Sequence, residues 1–74
     1  MIEKLIENSN KRYNLKITYK QKILGVYFIY FVIEGKGVGF NFIFNKLISF
    51  EENEKEFYNK INKSIINHYL RKVK

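Results

Sequence analysis

The stretch Ile23–Phe44, ILGVYFIYFVIEGKGVGFNFIF, decides the fold of this chain. It is apolar enough to suggest a membrane span, but its longest uncharged run, Ile23–Ile33, has only eleven residues. A spanning helix needs about twenty, and Gly35, Gly37 and Gly39 follow where a helix would have to continue. Most residues before Glu34 are β-branched or aromatic, which suits a pleated strand. The glycines tolerate the positive φ of a tight turn. The stretch therefore reads as a β-hairpin. One strand covers roughly Ile23–Glu34, EGKGVG makes the turn, and a second strand covers Val38–Phe44 with Val38, Phe40, Phe42 and Phe44 on one side.

On the N-terminal side, YNLKITYK (Tyr13–Lys20) alternates strictly, with Tyr13, Leu15, Ile17 and Tyr19 pointing one way. That pattern predicts a half-buried strand, followed by a turn at Lys20–Lys22 with Gly25. Before it, Ile2, Leu5 and Ile6 fall at helical spacing. Asn8–Asn10 should stop that helix, because their side chains compete for backbone hydrogen bonds. On the C-terminal side the period becomes helical. Ser49 and Glu52 form a capping box, and Phe57, Ile61, Ile65 and Tyr69 make a stripe that Tyr58, Ile66 and Leu70 widen. This predicts a helix from about Phe50 to Lys72, acidic at its start and closed by Arg71, Lys72 and Lys74, as the macrodipole favours.

The predicted fold class is α+β. It is a single small domain spanning 1–74, ordered α-β-β-β-α, with a three-stranded antiparallel sheet and both helices packed on one face. The central strand is apolar on both sides. Either Val26, Phe28, Tyr30 and Val32 face the helices, or Tyr27, Ile29, Phe31 and Ile33 do. The set left over forms a contiguous apolar patch of the kind that marks a partner. A helix over each face, or long lysine stems over the second face, would cover it instead.

Composition narrows the function. Lys and Arg number 14 against seven Glu, for a net charge of +7, with no Cys, no Asp and one histidine, His68. Such a chain favours polyanionic partners. It offers no thiol chemistry, no cysteine-based zinc site and no paired aspartates. No enzyme activity, cofactor, metal or small-molecule ligand is expected. The GKGVG run leads into a strand rather than a helix, so a turn suits it better than a phosphate-binding loop. The bias toward Ile, Lys and Asn fits an AT-rich genome, as in low-GC bacteria and their phages. The N-terminus mixes Glu and Lys among its apolar residues, unlike a signal peptide.

The cations are segregated. Lys11, Arg12, Lys16, Lys20 and Lys22 lie in one run without an acid, and Lys60, Lys63, Arg71 and Lys72 lie in another. With Tyr27 and Phe31 from the central strand they are the candidate interaction residues. Lysines for phosphates beside aromatics for bases make a single-strand platform; a solvated strand face beside a homodimer seam has the same composition.

The element order and charge resemble a double-stranded-RNA-binding domain, but EENEKE (Glu51–Glu56) stands where that family places phosphate-gripping lysines. The Gly-Pro-x-His loop is also missing. The short N-terminal helix, YNLKITY and EKEFYNKI (Glu54–Ile61) resemble small phage-encoded anti-CRISPR proteins. That resemblance implies a stoichiometric inhibitor in the cytoplasm of a host bacterial cell. Its target would be a CRISPR effector complex or its nucleic acid, with no membrane involved. The known acidic DNA mimic of this kind is no guide to a basic chain, which would grip nucleic acid or an acidic effector surface. A free-standing nucleic-acid-binding module and a homodimeric regulator are the alternatives.

Overall fold

Ile2, Leu5, Ile6 and Ser9 are all buried, and their spacing winds the first helix, α1, over Ile2–Tyr13. It runs three residues past Asn10, the last of the asparagines expected to stop it, because those side chains find partners beyond the helix. Asn8 Nδ2 donates to Glu54 at 2.8 Å, and Asn10 Oδ1 accepts the Ile17 N–H at 2.7 Å. The helix stops at Asn14, whose φ of 54° and ψ of 47° place it in the left-handed region that asparagine tolerates. Tyr13 is therefore the end of a helix and not the start of a strand. A computed structural model describes residues 1–72, so Lys74 lies outside the described residues.

The first strand, β1, covers Thr18–Ile23, so Lys20–Lys22 belong to a strand and not to a turn. Their register passes from Gln21 opposite Tyr27 to Ile23 opposite Val26, which makes Lys22 an extra residue in the ladder. Leu24 and Gly25 form the actual turn, with φ of 79° at Gly25. The other strands are β2, Val26–Ile33, and β3, Lys36–Ile43. Only Glu34 and Gly35 separate them, with φ of 49° and 79°, the positive pair of a two-residue type I′ hairpin. The turn expected over six residues is two residues long, and Gly37 and Gly39 sit inside β3.

The sheet is open, antiparallel and ordered β1-β2-β3. The second helix, α2, covers Phe50–Lys72 as expected. Its start is capped by Ser49, whose Oγ accepts the Glu52 N–H at 3.1 Å and lies 3.5 Å from Glu52 Oε1. Both helices lie on the face that carries Ile29, Phe31 and Phe42, and Phe57 and Ile61 of α2 complete the core there. Farther along α2 the expected stripe leaves the core. Ile65 is half-buried, while Ile66, Tyr69 and Leu70 are exposed. Residues spaced by four drift about 40° per step around a helix of 3.6 residues per turn, so the face on the sheet passes to His68, which reaches Glu34 at the β2–β3 turn.

Asn53, fully buried, ties the β3–α2 connection together. Its Oδ1 accepts the Asn45 N–H at 2.9 Å, and its Nδ2 donates to the carbonyls of Asn45 and Ser49 at 2.8 and 3.0 Å. Asn53→Ala should therefore remove the hydrogen bonds that hold Asn45 and cost about 1 kcal/mol or more, read from urea denaturation. An unchanged midpoint would show that the loop holds itself.

Candidate nucleic-acid interface

Pleating sends Ile29, Phe31 and Ile33 of β2 toward the helices and Phe28, Tyr30 and Val32 away from them. The first three are at most 9% exposed; the second three are 37%, 42% and 51% exposed. Neighbouring strands complete this open face through their register. On β1, Lys20 lies opposite Phe28 and Thr18 opposite Tyr30. On β3, Asn41, Gly39 and Gly37 lie opposite Phe28, Tyr30 and Val32. None of these outward positions is acidic.

Two glycines give the face its shape. The Phe28 ring reaches diagonally over Gly39, where a Cβ would stand 2.5 Å from Cζ; the Tyr30 ring covers Gly37 in the same way. Any larger residue at either position would displace a ring. The rings lie at 28° to each other with centroids 6.5 Å apart. They form two adjacent aromatic tiles whose tips reach across to β3. Lys22 Nζ stands 5.8 Å from the Phe28 ring centre, within cation–π range, and Lys20 is beside the same ring. The arrangement offers exposed aromatic surface bordered by positive charge.

Tyr27 and Phe31, the two aromatics chosen from sequence, are on the other face. Phe31 is 1% exposed in the core, and Tyr27 is half-buried edge-on to Tyr19, with centroids 5.9 Å apart. Phe28 and Tyr30 take the place assigned to them. A two-residue turn would have revealed this, because it pairs Ile33 with Lys36 and hence Phe31 with Val38 on the inward side of β3.

Lys20 and Lys22 are the candidate cations that the structure places at the tiles. Lys16 is exposed in the connection before β1. Lys11 sits 3.5 Å from Glu7 on α1. Arg12 lies 4.6 Å from the Tyr58 ring centre, between the helices. There, burial and then the Glu54 carboxylate push the Tyr58 phenol upward. Lys60 lines a groove with Asn41–Ile43, Lys63 is exposed on α2, and Arg71 lines a second groove beside β3. The Lys72 side chain lies outside what the structure describes. His68 Nε2 is 3.3 Å from Glu34 Oε1, so it links the end of α2 to the β2–β3 turn.

Comparison with protein-family models, curated proteins and solved structures returns no match. The geometry therefore carries the functional argument. Among the described residues no group of three or more His, Cys, Asp or Glu side chains is placed to hold a metal ion. No described helix is long and apolar enough to cross a membrane.

Proposed function

We propose that this protein is a non-catalytic binding protein that holds single-stranded nucleic acid on the open face of its sheet. One observation carries the reading: Phe28 and Tyr30 are laid over Gly39 and Gly37 as exposed tiles, with Lys20 and Lys22 beside them. A ring whose tip is lodged over a glycine is held in one place, so it loses little freedom when a base stacks on it. Each such stack is worth about 1–3 kcal/mol. The setting of this activity is stoichiometric inhibition of a CRISPR effector through its guide or displaced strand. The YNLKITY and EKEFYNKI segments support that setting.

Fluorescence anisotropy of a labelled ten-nucleotide oligo(U) tests the reading. Phe28→Ala and Tyr30→Ala should each weaken binding about 5- to 150-fold while leaving the circular dichroism spectrum unchanged. Lys20→Gln should flatten the dependence of log K on log salt by about 0.7. A wild-type protein that ignores the oligonucleotide would sink the reading. If it also dimerised in light scattering, and Tyr30→Lys abolished the dimer, the face would belong to a second copy of this chain.

A further inference from the structure

On the nucleic-acid reading above, we infer that the groove between the free edge of β3 and the last turns of α2 holds phosphates of the strand stacked on the sheet. This groove, about 450 Å³ in volume, is lined by Lys36, Gly37 and Gly39 of the β3 edge and by Ser64, Asn67 and Arg71 of α2. Glu34 and His68 close one end of it, 3.3 Å apart, so the acid there faces a ring nitrogen.

Register determines which backbone groups face the groove. A two-residue turn makes Ile33 and Lys36 a hydrogen-bonded pair, and bonded and non-bonded pairs alternate from there in an antiparallel ladder. Gly37 opposite Val32 and Gly39 opposite Tyr30 are therefore non-bonded pairs. Their N–H and C=O groups point away from β2, toward the edge where no further strand follows among the described residues. A backbone N–H without a strand partner is a ready donor to an anion. With no side chain on either glycine, a phosphate has room to approach that donor.

The same two glycines join this edge to the tiles. Their outward side carries the Tyr30 and Phe28 rings, and their edge opens on the groove. A strand with two bases on the rings would bring its sugar–phosphate chain to the glycine edge, with the Lys36 ammonium and the Arg71 guanidinium beside it. Those cations select a polyanion over an uncharged extended peptide, the other occupant that an open strand edge attracts.

The test uses the full chain with two probes, oligo(U) and an abasic oligonucleotide of the same length. Arg71→Gln and Lys36→Gln should each weaken binding of both probes and reduce the salt slope by about 0.7. Phe28→Ala should weaken only the probe that has bases. In the unmodified protein, oligo(U) should shift the amide resonances of Gly37 and Gly39. If Phe28→Ala weakens oligo(U) binding while both cation variants keep the wild-type affinity and slope, and the glycine amides stay in place, the groove inference is overturned and the tiles stand. If neither probe binds the wild type, the nucleic-acid reading itself falls. Glycine amides that shift with an extended peptide but not with oligo(U) would give the edge to a protein strand instead.

Discussion

Phe57→Ala should remove about 3–5 kcal/mol of stability, the largest loss expected from truncating a single side chain here. Phe57 is fully buried, with its ring 4.9 Å from that of Phe42 in an edge contact and 5.8 Å from that of Phe40. It is the point where α2 grips β3. Its removal leaves a cavity between α2 and β3, and the aromatic contacts add to the lost transfer energy. A domain of 74 residues has only about 4–11 kcal/mol to lose at typical per-residue stabilities. The expected result in thermal melts is a protein that is marginal or unfolded at room temperature. Ile61→Ala, one turn along and equally buried, should cost about 2–5 kcal/mol. A melting temperature within a few degrees of wild type for both variants would mean that α2 does not pack as described.

The second large effect distinguishes the two faces of β2. Phe31→Lys places an ammonium at a position 1% exposed, with no acidic partner among the residues of its cluster. Such a change costs more than about 4 kcal/mol and should abolish the cooperative melt. Tyr27→Lys, on the same face and half-buried, should be strongly destabilising. Phe28→Lys and Tyr30→Lys act at positions 37% and 42% exposed, where the chain end reaches water. These two should fold, at a cost of about 1 kcal/mol, and lose the stacking of bases. A folded Phe31→Lys, or an unfolded Phe28→Lys together with an unfolded Tyr30→Lys, would show the faces to be reversed or both internal.

Local patterns account for the parts of the fold that were legible in advance. The bounds of α2 follow from the period of Phe57 and Ile61 and from the Ser49 cap, both of which act within a few residues. The β-hairpin follows from β-branched and aromatic residues flanking Glu34 and Gly35. Neither depends on what lies across the core, and neither needed correction beyond a few residues at the ends. The overall order α-β-β-β-α rests on the same short-range signals, as does the choice of a sheet over a membrane helix.

Long-range partners decided the rest. The asparagines of α1 would break a free helix, but Glu54 lies 46 residues away in sequence and only 2.8 Å away in space. Lys20 and Lys22 look like turn residues until β1 pairs through them with β2. The stripe of α2 continues through Tyr69 in sequence, but Tyr69 has turned off the face that His68 presents to the β2–β3 turn. The identity of the interface aromatics turned on parity. Both sides of β2 are apolar, so hydrophobicity alone cannot orient the strand, and a shift of one residue exchanges every side chain between core and solvent. The two-residue turn supplies that parity by pairing Phe31 with Val38 and leaving Tyr30 opposite Gly39. Residue order and composition by themselves determined that this chain would be a small basic α+β domain with one apolar face too many. The turn says which residues share a side, and the packing of the helices on the side of Phe31 and Phe42 left Phe28 and Tyr30 in water, because a core fills one side of a pleat and turns the alternate residues out.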